Sequence, residues 1–134
     1  MVIEIEEDLR LEILTRSERG GMLLLHYDRF RLLLPWVITK PDLQSAGYGR
    51  RIGYVSLLML ADNGYHASNP IQWIRQLNPR LVVLSVAADD QDGRPLAGLL
   101  SEMAGYSLLR TDVHGALEIT PDGQQMWIHV DRLP

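Results

Sequence analysis

Apolar and charged residues alternate along Val2-Ile3-Glu4-Ile5 and along Leu9-Arg10-Leu11-Glu12-Ile13, the period of half-exposed strands. The polar, glycine-containing run Arg16-Ser17-Glu18-Arg19-Gly20-Gly21 breaks that alternation as a turn. Met22-Leu23-Leu24-Leu25-His26-Tyr27 and Phe30-Arg31-Leu32-Leu33-Leu34 flank Asp28-Arg29, which predicts a tight hairpin whose second strand is covered on both sides. Pro35 ends that strand, because proline offers no ladder donor. Thr39 to Gly53, with Pro41, Gly47, Gly49 and Gly53, reads as a long connection with a short helix over Pro41 to Ala46.

From Tyr54 the pattern becomes that of an α/β unit. Tyr54 to Leu60 predicts a buried strand and Asp62 to Ser68 a loop. Asn69 is placed to cap a helix over Asn69 to Gln76, with Pro70 in its first turn. Ile71, Ile74 and Leu77 supply that helix's apolar face, and Asn78-Pro79 stops it. Arg80 to Val86 is the clearest central strand, so a strand-helix-strand crossover between parallel strands is expected. Asp89 to Gly93 reads as a solvated acidic loop, and Pro95 to Ala104 as a second helix carrying Leu96, Leu99, Leu100 and Met103. Tyr106 to Arg110 is a short strand. Ala116 to Thr120 and Gln125 to Val130 form a closing hairpin across Pro121-Asp122-Gly123. The fold expected is α/β, a mixed, partly parallel β-sheet with helices mainly on one face.

Length and composition narrow the function classes. A chain of 134 residues, 46% hydrophobic and 22% charged, fits one globular domain spanning 1-134. Seventeen acidic and thirteen basic side chains leave a formal charge of -4, and the basic residues are scattered, with Arg50-Arg51 the one adjacent pair. No phosphate-tracking stripe results, which disfavours nucleic-acid binding by this segment alone. The absence of cysteine excludes disulfides, zinc-thiolate sites and thiol nucleophiles. Glu4, Glu6, Glu7 and Asp8 do not suit a basic leader region, and no apolar run is long enough for a membrane segment. Cytoplasmic residence is the expectation, with an extracytoplasmic place left open if the chain belongs to a larger membrane protein.

The order of elements, with Leu33-Leu34-Pro35-Trp36, Asp62-Asn63-Gly64-Tyr65, Pro79 through Ser85-Val86, Gly93-Arg94-Pro95 and Thr111-Asp112-Val113-His114-Gly115-Ala116, resembles the C-terminal half of the metallo-β-lactamase fold. Its closest similarity is to the soluble hydrolase-like domains of the ComEC family of DNA-uptake (competence) proteins. The resemblance covers the chain from about Leu9 onward and implies half of an αββα sandwich. It also implies a metal site, and here the chain departs from it. The family's metal-bridging aspartate falls at Trp36, its first loop histidine at Asp62 and its Gly-His-Pro histidine at Arg94. A two-metal site needs several convergent histidines and carboxylates around an activated water. No catalytic residue, metal ligand or cofactor is therefore assigned, and none is expected.

Individual residues leave a few options. Among His26, His66, His114 and His129 none forms a His-x-His or His-x3-His pair. Asp62, Asn63 and His66, with Arg94, are the residues expected to line a pocket, since loops at strand ends often bind ligands in α/β folds. The competing reading of that loop is a polar surface. Thr111 or Asp112 is expected to bond backbone amides and hold the turn around His114. Trp36 and Trp127 are candidate interface residues, and Trp73 is placed for core packing.

A half-fold of this kind leaves one apolar sheet face without its normal cover. That predicts a homodimer through the uncovered face, with an unidentified protein partner as the other option. The leading functional expectation is a non-catalytic structural or protein-interaction domain. The alternatives are a fragment of a metal-dependent phosphodiester hydrolase needing a missing half, or a small-molecule sensor built on the Asp62 to Ser68 loop.

Overall fold

Seven strands lie side by side in chain order in a computed structural model that describes residues 1–38 and 52–133. They are β1 (Val2–Glu6), β2 (Leu9–Arg16), β3 (Gly21–Tyr27), β4 (Phe30–Pro35), β5 (Leu57–Met59), β6 (Leu81–Leu84) and β7 (Leu108–Arg110). β1 to β4 are antiparallel neighbours joined by tight turns, and β4 to β7 run parallel. Parallel neighbours need crossovers. Helix α1 (Ile71–Leu77) lies between β5 and β6, and α2 (Ala97–Glu102) between β6 and β7. A single helical turn, α3 (Thr111–His114), follows β7. The chain then makes the separate hairpin β8 (Leu117–Pro121) and β9 (Met126–Val130). The fold is α/β with a mixed, partly parallel sheet. The connection and short helix expected over 39–53 lie largely outside the described residues.

Strand alternation sorts the side chains onto two faces. On the first, Met22, Leu24, Leu33, Leu58, Val82 and Leu84 form the main core with Trp73, Ile74 and Leu77 of α1 and Leu99 and Met103 at α2. Trp73 is fully buried there, so its role is packing. On the second face Phe30, Leu57, Leu81 and Val83 are covered by Leu117, Ile119 and Met126 of the β8–β9 hairpin. Among the described residues, the helices thus contribute to the first face alone. β6 has neighbours on both sides and cover on both faces, and all four of its residues are buried. Its unbroken Leu-Val-Val-Leu run is what such a site demands.

Three expectations need correction. The strand predicted from Tyr54 to Leu60 pairs only over Leu57–Met59, and Tyr54 is 74% exposed. The Arg31 guanidinium donates to the carbonyls of Ile52 and Tyr54, so a side chain replaces the ladder there. Asn69 does not cap α1. The residue ahead of that helix is Pro70, which makes no side-chain cap bond, while the Asn69 side chain turns back into the preceding loop. Finally, the second sheet face is not wholly bare, because the closing hairpin lies across it instead of extending the sheet. The Arg29 N–H donates to the Gly123 carbonyl at 2.8 Å, tying the hairpin turn to the β3–β4 turn.

The cover reaches Phe30 on β4 but leaves most of the antiparallel strands open. The register Ile3↔Leu11, Leu11↔Leu25 and Leu25↔Leu32, with Ile13↔Leu23 and Leu23↔Leu34, continues the second face as an apolar stripe. Leu11, Ile13, Leu23, Leu25 and Leu34 are only half-buried, and Ile3 is exposed. The opposite face of these strands carries Glu4, Arg10, Glu12 and His26. Burial pushes the His26 imidazole below its ordinary value, against the opposing effect of Glu12 at 3.3 Å.

Candidate functional site

The parallel strands end in three loops on one edge of the sheet, the place where open α/β sheets bind ligands. After β5, Leu60 donates to the Val83 carbonyl and Ala61 is fully buried. The Asn69 side chain, itself fully buried, closes the loop that follows. Its Oδ1 accepts from the Ala61 N–H at 2.7 Å, and its Nδ2 donates to the carbonyls of Ala61 at 3.0 Å and Tyr65 at 2.7 Å. Between these ties, Asp62, Asn63 and Gly64 all have positive φ (56°, 50° and 82°). Asparagine and aspartate tolerate that region through their short polar side chains. Gly64 has a second reason for its identity, since a Cβ there would sit 2.7 Å from Leu84 Cδ1.

Asp62 is held on three sides. Its N–H donates to the Trp36 carbonyl at 2.7 Å and its carboxylate accepts from Ser68 Oγ at 3.0 Å. Its carbonyl accepts from Arg94 Nη1 at 3.2 Å, which joins the loop after β5 to the loop after β6. The rest of the Arg94 guanidinium is also engaged. Nε and Nη2 each reach Asp90 at 3.1 Å, and Nη2 lies 3.2 Å from Asp92. Asp90 additionally accepts from the Arg94 backbone N–H at 2.9 Å. The Arg94 guanidinium holds the Asp90 carboxyl below its usual range, and Asp90 in turn raises Arg94. Asp90, expected in a solvated acidic turn, is instead the enclosed partner of an arginine fork, a bidentate geometry that a carboxylate satisfies well.

His66 is directed elsewhere. Its Nε2 lies 3.1 Å from Glu102 Oε1, and its ring rests against Gly98, where a Cβ would come within 3.1 Å of Cε1. Asp62 and Arg94 are thus brought together, while His66 pairs with Glu102 and the Asn63 side chain is exposed. A shallow depression with Tyr65, Ile71 and Gln72 lies beside the His66–Glu102 pair. Sequence reasoning missed Glu102 because it belongs to a different element. Its only sequence signal was a carboxylate in the last turn of a short helix. Among the described residues no three His, Asp or Glu side chains converge where they could hold a metal.

After β7, Thr111 Oγ1 donates to the Val86 carbonyl and accepts its N–H, both at 2.8 Å. Thr111 therefore bonds a backbone amide as expected, but that of the neighbouring strand end. Asp112 makes a two-point contact with Arg110 at 3.0 and 2.6 Å. The Arg110 guanidinium holds its carboxyl below the usual range. A carboxylate lowered in the folded state adds stability above its ordinary value of about 4, and that stability is lost as pH falls through the lowered one. Asp112→Asn is expected to cost about 1 kcal/mol at pH 7, and urea unfolding should show the difference shrinking as the pH is taken down toward 2. A constant difference across that range would place the effect outside the ion pair.

Of the two candidate interface residues, Trp36 is 43% exposed with its indole over Gly20 and Gly21, and Trp127 on β9 is 55% exposed. No protein-family model matches this chain, and no curated protein matches it.

Proposed function

We propose that this chain is a non-catalytic protein-interaction domain, a relative of the ComEC-type metallo-β-lactamase domains in which the metal site has been replaced by a structural ion pair. The observation that carries this reading is Arg94, a permanent cation at the position where the resembled motif has a histidine. Its guanidinium is taken up by Asp90, Asp92 and the Asp62 carbonyl. An arginine so satisfied occupies the strand-end site as a fastener between two loops and disfavours a second cation there. Protein purified without chelator is expected to carry no stoichiometric zinc or manganese. One equivalent of either metal, lost in Asp62→Ala, would instead support the hydrolase-fragment reading.

The partner in this proposal is a second copy of the chain, seated on the part of the second sheet face that the β8–β9 hairpin leaves open on β1 to β4. Four strands at ~4.8 Å spacing and about six residues at ~3.4 Å rise give roughly 400 Å² per copy. Two such faces bury about 800 Å², which is below the area of a stable interface and suits a weak, concentration-dependent dimer. No charged side chain stands on the stripe from Leu11 to Leu34 described above, so two copies can pack without stranding a charge. Sedimentation should give a dimer, and Leu11→Lys, which adds a charge to a half-buried edge of the stripe, should give a folded monomer. A monomeric native protein would overturn this part of the proposal.

A further inference from the structure

The two layers over the second face do not meet completely. Between β8 and the sheet lies a cavity of about 320 Å³, open to solvent on one side, floored by the buried Phe30, Leu57 and Val83 and roofed by Leu117 and Ile119, with Leu25, Leu34 and the half-buried Met59 at its sides. This contrasts with the first face, where Leu33, Leu58, Trp73, Ile74 and Leu99 are all fully buried. At ~30 Å³ per water this apolar cleft has room for about ten water molecules.

We infer that this cavity is a binding site for an uncharged hydrocarbon group, such as the alkyl tail of a medium-chain alcohol or acyl compound. Every lining side chain is aliphatic, aromatic, proline or methionine, and none carries a nitrogen or oxygen. An ordered water needs two to four polar partners, so water is held poorly here and an apolar group displaces it at little loss. The volume falls at the lower end of small-ligand pockets, and the same absence of polar side chains excludes a charged group from the interior. The thioether of Met59 is flexible enough to fit its surface to the occupant. The floor and roof belong to the same chain, and Leu25, Leu32 and Leu34 complete the lining at the border of the open stripe, so a second copy could cover the mouth but supplies none of these walls.

The test is a titration of the full chain with 1-octanol, followed by NMR of the side-chain methyl groups. Saturable one-to-one shifts centred on Met59, Leu57 and Ile119 are expected, with a dissociation constant below about 1 mM. Met59→Trp, or Leu34→Phe should that variant fold poorly, fills the cavity and should weaken binding by about tenfold or more. Leu11→Lys lies on the open part of the face, outside the lining, and should bind at least as tightly, since dissociating a dimer uncovers the mouth and removes no wall. Absence of saturation, insensitivity to cavity filling, or an equal loss in Leu11→Lys would each overturn the inference. The last result would place the octanol on the open sheet face.

Discussion

Asn69→Ala is expected to destabilise the protein by about 3 kcal/mol, as large an effect as any single side-chain truncation in the strand-end loops. The Asn69 amide is fully buried and makes three hydrogen bonds, to the N–H and carbonyl of Ala61 and to the carbonyl of Tyr65. Alanine removes all three and orphans the N–H of the fully buried Ala61, while the Ala61 and Tyr65 carbonyls keep the bonds they accept from the Gly64 and Ser68 N–H groups. Unsatisfied buried polar groups cost more than the net gain of the bonds they replace. Asn69→Asp separates the components. It keeps an acceptor for the Ala61 N–H but sets a buried carboxylate against two carbonyl oxygens. It should be at least as harmful at pH 7 and should recover in part as acid protonates the new carboxyl, since a protonated acid can donate. Urea denaturation of both variants at pH 7 and pH 4.5 is the measurement. A cost below about 1 kcal/mol for the alanine variant, the range of an ordinary exposed cap, would show that the loop is not held through Asn69.

Gly64→Ala should cost about 2 to 3 kcal/mol, through two effects that a second variant can divide. The first is backbone strain. Gly64 has φ of 82°, and an L-residue there costs about 1 to 2 kcal/mol. The second is packing, because the new Cβ would lie 2.7 Å from Leu84 Cδ1. Leu84 is fully buried within the main core, so it cannot swing away without disturbing its neighbours. Gly93 has a similar φ of 70°, and a Cβ added there would meet nothing within 4 Å. Gly93→Ala should therefore show the strain alone. Thermal unfolding of the pair should find Gly64→Ala the more damaging. Equal losses would mean that Leu84 accommodates the methyl group freely.

The strain in this loop bears on function. Asp62, Asn63 and Gly64 are consecutive left-handed residues at the end of a parallel strand, a conformation that surrounding structure has to over-determine. Asn69 below, Leu84 beside and Arg94 above supply that determination. In the proposed function this rigidity serves a scaffold whose exposed surfaces do the work. The His66–Glu102 pair at 3.1 Å extends the same scaffold to α2.

Much of the architecture was legible along the chain because it depends on local periodicity. The alternation in β1 and β2, the Asp28-Arg29 hairpin, the apolar face of α1, the stop at Asn78 and the Leu81–Leu84 strand are all set by neighbours within a few residues. Positive φ at Asp28 and Asn78 falls on residue types that accept it, so those turns could be placed from the sequence. The apolar positions also predicted a sheet face without cover, whereas the β8–β9 hairpin covers Phe30, Leu57, Leu81 and Val83 on it.

The site was legible only in part. Asp62 and Arg94 were singled out, and they do meet, but 32 residues separate them and no pattern specifies a bond across that distance. Asn69 read as a cap because asparagine before Pro70 is a strong local signal. Tertiary structure overrode it, since Ala61 is buried at the neighbouring strand end and its backbone groups need partners more than an exposed helix end does. Arg31 read as a strand residue and is one, but its side chain's bonds to the carbonyls of Ile52 and Tyr54 depend on the tertiary structure. The hairpin β8–β9 was predicted as a hairpin, yet only the tertiary structure could lay it across the second face, because the same alternation suits a strand that extends a sheet and one that covers it. By itself, then, the sequence determined which segments are strands and helices and which of their faces are apolar. Which face meets which, where the buried polar groups find partners, and what space is left between the layers were decided by long-range contacts, whose energies depend on burial that no local window contains.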